Sequence, residues 1–120
     1  MANALESIVE TYIKAWGERD PALRAKLIEQ CFAVDGRIVT RSREIRGRQA
    51  FSDEAARVHA DPEFVRIRVT SVIDAKGTTF RVRAQAERRD GTNPEALDAG
   101  EVDASGQISL VLTFAGPLGE

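Results

Sequence analysis

Few side chains in this 120-residue sequence can do chemistry near neutral pH, and they are scattered. His59 is the one histidine and the one side chain whose ordinary pKa lies near neutrality, which makes it a candidate general base. It also falls at the predicted end of a helix, before Ala60-Asp61-Pro62, where an imidazolium would instead complement the helix dipole. Asp98 lies within Ala96-Leu97-Asp98-Ala99-Gly100 on a predicted strand. Buried there, its carboxyl would have a raised pKa and donate a hydrogen bond as the neutral acid; on an edge it would be a solvated carboxylate. Arg37, Arg41, Arg43, Arg46 and Arg48 form a basic run relieved within it by Glu44 alone. Guanidinium forks suit a carboxylate or phosphate at a pocket rim; the alternative is a solvated loop neutralised by Asp35 and Asp53. A single cysteine, Cys31, excludes an internal disulfide, and with one histidine it leaves no Cys/His set for structural zinc. The residues predict a site without metal or cofactor.

Composition narrows the classes. Lys plus Arg number 17 against 19 Asp plus Glu, for a formal net charge of −2, so no basic field marks a nucleic-acid or anionic-membrane binder. The arginine run also lacks the interleaved aromatics on which single-stranded bases stack. Apolar residues make up 42% and charged residues 30% of the chain, a globular composition of single-domain length over residues 1–120. The opening residues lack a basic start and an apolar run, and no stretch approaches about 18 apolar residues. The expectation is a cytoplasmic protein with neither signal peptide nor membrane span.

The elements that must position these groups change character near Pro62. Leu5, Ile8, Val9, Tyr12, Ile13 and Trp16 recur with the helical period and predict a helix over residues 3–18, with Asn3 and Glu6 as a capping-box variant. Asp20-Pro21 opens a second helix to about Phe32, with Leu23, Leu27, Ile28 and Cys31 on its inner face. Asp35-Gly36 predicts a turn and 37–41 a short strand. A third helix runs from about Gly47 to His59, with Phe51, Ala55 and Val58 on one side. Beyond Pro62 the period is two: residues 63–74 and 79–89 predict antiparallel strands joined at Ala75-Lys76-Gly77, and 96–104 pairs with 107–114 across Ser105-Gly106. Phe80, Val82 and Ala84 should face the helices. Arg66, Arg68, Arg81 and Arg83 should point outward, facing Glu101 and Asp103 or a second subunit. Helices followed by long antiparallel strands predict an α+β fold whose bent sheet wraps the helices and leaves a hollow for a small ligand. Trp16 and Phe51 on the helices, with Phe80 and Val82 on the sheet, are the apolar residues expected to meet such a ligand.

The string from Tyr12 to Asp20, then Phe32-Ala-Val-Asp-Gly-Arg-Ile38, Ile45-Arg-Gly47, and Val102-Asp-Ala-Ser-Gly-Gln-Ile108 with Phe114, resembles the nuclear transport factor 2-like superfamily. The likeness is to its SnoaL-like and ketosteroid-isomerase-like branch and covers about residues 4–115. It implies a cone-shaped α+β barrel, with three N-terminal helices packed on a strongly bent antiparallel sheet, usually in a homodimer. Ketosteroid isomerases hold a developing oxyanion with a tyrosine and a protonated aspartate, and use a second aspartate as base. Eight residues before Asp20, Tyr12 matches the tyrosine; eight before Gly106, Asp98 matches the neutral aspartate. The base position, two residues beyond Ile38, is Thr40, whose hydroxyl has no neighbour in sequence able to activate it. Steroid isomerisation by that mechanism is therefore not expected, and Thr40 is assigned to ligand contact.

Two functional readings follow. One is an isomerase- or lyase-type enzyme that stabilises an enolate-like oxygen with Tyr12 and Asp98 and draws its base from elsewhere, His59 included. The other is a non-catalytic domain, either binding a small apolar molecule with a polar or anionic group or serving as a dimeric interaction module.

Overall fold

The Glu6 amide donates to the Asn3 side chain at 2.7 Å and starts helix α1 (Ala4–Gly17) of the computed structural model, which describes residues 3–116. Val9, Tyr12 and Ile13 on its apolar stripe are buried. The Ala22 amide donates to the Asp20 carboxylate at 2.9 Å and Pro21 occupies the first turn, so α2 (Pro21–Cys31) begins where the sequence predicts. Its inner stripe, however, is Arg24, Ile28 and Cys31. Leu23, expected inside, stands one step off that stripe and is 49% exposed. Burial of Arg24 is tolerable because its guanidinium is satisfied: Nη1 donates to the Glu18 carbonyl at 2.9 Å and Nε to the Ser52 hydroxyl at 3.1 Å. One side chain thereby ties α2 to the negative end of α1 and to α3 (Arg48–Ala60).

The strands are β1 (Phe32–Val39), β2 (Glu44–Arg46), β3 (Phe64–Val69), β4 (Asp74–Lys76), β5 (Thr79–Arg88), β6 (Glu95–Val102) and β7 (Ile108–Ala115). They form one curved, seven-stranded sheet in the order β2-β1-β7-β6-β5-β3, with β4 also on β5. Three features differ from the sequence reading. First, β1 begins at Phe32, directly after α2, and runs parallel to β7, so the sheet is mixed rather than antiparallel throughout; the intervening helix and strands supply the crossover that parallel pairing demands. Second, the sheet is open, with β2 and β3 at the ends of its main path, and does not close into a barrel. Third, the long strand expected over 63–74 is broken into β3 and β4. In the gap the Ser71 hydroxyl accepts the Arg83 amide at 2.8 Å, a side chain taking over a ladder bond.

The register meets the expected phase. Phe80 and Val82 are buried, while Arg81 and Arg83 are exposed. The outward arginines find partners within the chain, but not Glu101 or Asp103: Arg66 and Arg68 pair with Glu87, Arg81 with Asp74 and Arg83 with Glu95. Similarly, within the basic run Arg37 and Arg46 pair with Glu44 and Arg43 with Glu54, rather than with Asp35 and Asp53. On β3 the ladder slips between Phe64 and Arg66, burying Phe64 while Val65 and Val69 stay exposed. No helix among the described residues is long and apolar enough to cross a membrane.

Behind the inner sheet face the core is aromatic. Fully buried Phe51 has its ring centroid 5.2 Å from Phe32, 5.4 Å from Tyr12 and 4.8 Å from Trp16. These contacts fix the faces that α1 and α3 turn to the sheet.

Candidate functional site

A cavity of about 290 Å³ lies between the inner face of the sheet and helices α1 and α3. Most of its wall is apolar, including Ile13, Trp16, Ile38, Ile45, Val58 and Ile67. Polar groups reach it from separate elements: Tyr12 on α1, Glu54 on α3, Thr40 just beyond β1, Asp98 on β6 and Thr113 on β7. Tyr12 gets there as part of the helical stripe. Asp98 and Thr113 get there because they are register partners, and Asp98 is also the partner of inward Val82.

The Tyr12 hydroxyl stands 3.5 Å from Asp98 Oδ2, at the outer limit of a hydrogen bond. The Thr113 hydroxyl donates to Asp98 Oδ1 at 2.7 Å. Burial pushes the Asp98 carboxyl above its usual range, with the bonds from Thr113 and Tyr12 pulling part of the way back. The same burial, reinforced by the neighbouring Asp98, holds the Tyr12 phenol well above its ordinary value, so Tyr12 remains a donor. With Oδ1 occupied by Thr113, the proton of a neutral Asp98 belongs on Oδ2, the oxygen beside Tyr12. Two O–H donors at that separation can both reach one guest oxygen at about 2.7 Å.

Comparison with protein-family models and with curated proteins gives no match. Solved structures do match. A candidate isomerase of the SnoaL-like family from Agrobacterium tumefaciens superposes with a TM-score of 0.81 at 25% identity, over 92% of this chain and 96% of that one. An NTF2-like protein of unknown function from Burkholderia xenovorans does so at 0.73 and 13% identity, over 98% and 86%. The fold is that of the NTF2-like superfamily. A candidate polyketide cyclase from Sinorhizobium meliloti shares it at a TM-score of 0.71 and 16% identity, over 94% of this chain and 100% of that one.

Within the NTF2-like frame, the singled-out residues fall into two groups. Tyr12, Trp16, Thr40 and Asp98 line one cavity. Phe51 and Phe80 are buried in the core behind it, and Val82, also core, borders a separate groove of about 490 Å³ with Asp74, Arg81 and Arg83. His59 is not in the cavity lining: its Nε2 donates to the Trp16 carbonyl at 2.8 Å and its ring stands edge-on to Phe64. Burial lowers its pKa, and the charges of Arg19 and Arg24 act in the same direction against the Trp16 hydrogen bond. His59 therefore braces the end of α1. Thr40 is committed too. Its hydroxyl accepts the amides of Ser42 and Arg43 at 3.3 and 3.2 Å and contacts the Arg43 carbonyl at 3.2 Å, closing the turn into β2.

Thr113 and Glu54 are among the cavity residues that the sequence reading did not single out. Thr113 shares a face of β7 with Val111 and Ala115, and only the strand register shows that it meets Asp98. Glu54 carried a visible signal: Phe51, Glu54, Ala55 and Val58 are spaced i, i+3, i+4 and i+7, so one carboxylate interrupts the apolar stripe of α3.

The displaced Asp98 carboxyl has a consequence for stability. Because its folded pKa is raised, the folded state binds that proton more tightly than the unfolded chain. Its contribution is complete below the ordinary aspartate value and is lost as pH rises through the elevated folded value. Wild type should thus lose stability relative to Asp98→Asn as pH climbs from about 4, by up to about 1.4 kcal/mol for each pH unit of the window. Urea titrations of both proteins across that range measure the difference, in which the surface carboxylates cancel. A difference that stays flat or runs the other way would refute the buried acid.

Proposed function

We propose that the cavity binds a small, mostly apolar molecule through a carbonyl, enolate or phenol-type oxygen, which accepts hydrogen bonds from Tyr12 and neutral Asp98. The observation that carries this reading is the Tyr12–Asp98 pair, 3.5 Å apart on the cavity wall with Thr113 fixing the remote carboxyl oxygen. Donors held in a site poor in water stabilise developing oxyanions far better than they would in solvent. The chemistry supported is therefore of the isomerase or lyase kind, passing through an enolate. Two of the structural neighbours are described as a candidate isomerase and a candidate polyketide cyclase, which fits this class. A binding role without proton transfer is the second reading, favoured by the engagement of the Thr40 hydroxyl in its turn.

A phenol series tests the oxygen site directly. Titration calorimetry with 4-chlorophenol should show saturable binding, tightening with more acidic phenols as charge on the bound oxygen grows. Tyr12→Phe should weaken it roughly 10- to 100-fold, the worth of one hydrogen bond to a charged partner. Equal affinity in the Phe variant would remove Tyr12 from the site, and absence of binding would remove the oxygen site altogether.

A further inference from the structure

We propose that Glu54 is the proton-accepting carboxylate of this cavity, acting on carbonyl compounds that carry an acidic C–H bond next to the carbonyl. The proposal rests on the Tyr12–Asp98 reading, which supplies the other half of the reaction.

Several observations lead to Glu54. It lines the same cavity as Tyr12 and Asp98 but projects from α3, a different wall. It sits in the stripe of α3 between Phe51 and Val58, where a charge is costly unless compensated. Compensation is present: Oε2 accepts from Arg43 at 2.8 Å and Oε1 from Arg57 at 3.3 Å. The side chains of Arg43 and Arg57 are themselves 43% and 64% exposed, so their hold is soft and the carboxylate can exchange it for a substrate proton. Arg43, moreover, is delivered by the turn that Thr40 closes. The residue at the usual base position thus serves to orient a partner of Glu54. Of the other carboxyl groups on the wall, Asp98 favours its protonated form, and Glu95 is 43% exposed against 18% for Glu54.

The step balances within the cavity. The Glu54 carboxylate takes the proton from the carbon next to the carbonyl, and the C–H electron pair forms the C=C bond of an enolate. The carbonyl π pair moves onto oxygen, where Tyr12 and Asp98 donate hydrogen bonds. Glu54, carrying that proton or one exchanged with solvent, then protonates the same carbon with no net change, or the far carbon of a conjugated dienolate, which gives isomerisation. No oxidant, reductant or second substrate is required.

The probe is 3-cyclohexen-1-one in D2O, followed by proton NMR for deuterium uptake beside the carbonyl and for conversion to the conjugated enone. Wild type should exchange above the buffer rate. Glu54→Gln should reduce that excess about 100-fold or more while leaving 4-chlorophenol affinity within about twofold, and Glu54→Asp should recover part of it. Asp53→Asn, which alters the neighbouring exposed carboxylate on α3, should leave exchange unchanged. Phenol binding with no exchange in wild type, full exchange in Glu54→Gln, or loss in Glu95→Gln in place of Glu54→Gln would each overturn the assignment while leaving the oxygen site standing. Failure of wild type to bind the phenol would instead bring down the oxygen site and this proposal with it.

Discussion

Phe51→Ala is expected to lower the free energy of unfolding by about 3–5 kcal/mol, as read by urea titration at neutral pH. The ring is fully buried and touches Phe32, Tyr12 and Trp16. Its removal forfeits burial of the ring and leaves a void that two helices and a strand cannot easily close. Against a total stability of about 5–15 kcal/mol for a domain of this kind, the variant should be partly unfolded at physiological temperature. Phe51→Leu, which keeps most of the volume, should cost much less. A loss below about 1 kcal/mol for the Ala variant would mean that the aromatic cluster is looser than its geometry implies. The site should respond as well, since the Tyr12 ring is backed by Phe51 and its hydroxyl loses definition when that backing goes.

Gly100→Ala should be comparably damaging for the opposite reason. A Cβ at position 100 would lie 2.3 Å from the Leu110 carbonyl oxygen and 2.8 Å from the Phe80 ring. The ring can turn aside, but the carbonyl belongs to the β6–β7 ladder and can move only with its strand. Overpacking of this kind costs about 1–3 kcal/mol and more when backbone must shift, so a loss of about 3 kcal/mol is expected. The same replacement at Gly17, where a Cβ meets nothing within 4 Å, should be neutral or stabilising by up to about 1 kcal/mol, because Ala is the better helix former. Thermal melts of the two variants side by side give the contrast. Similar melting temperatures would show that the sheet yields at Gly100.

What the sequence made legible was whatever local periodicity encodes. The stripe of α1 placed Tyr12 inward, and alternation on β5 set Phe80 and Val82 on the inner face, while Asp98 stayed open between core and solvent until the strand register placed it. The caps at Asn3 and Asp20 marked helix starts to the residue. Pairing between distant strands left no such mark. Nothing in the residues 32–39 announces β7 as their neighbour, because either strand's alternation is compatible with many partners and with both directions. Burial of Arg24 was hidden for a related reason: a guanidinium is accepted inside only when acceptors from other elements meet it, here the Glu18 carbonyl just beyond α1 and the Ser52 hydroxyl on α3. For the cavity, the apolar count pointed to Val58 and passed over Glu54, although an acidic residue inside a helical stripe is itself informative. His59 drew attention through its intrinsic chemistry, which says nothing of where a helix end will be packed.

The parallel pairing of β1 with β7 bears on how the chain comes to be folded at all. A ribosome delivers the helices, β1 and β2 first, and the meander of β3 to β6 afterwards, so for most of synthesis these two parts share no sheet. Among the described strands, only β7 hydrogen-bonds to both. The cavity wall that holds Thr113 cannot exist before then, and the apolar inner faces of α1 and β1 wait uncovered in the meantime. Such long-range closure raises contact order and slows folding relative to the helices that precede it. Although β7 comes late in the chain, it is therefore no dispensable tail: trimming into it would divide the sheet at its middle and leave two fragments, neither with a complete core.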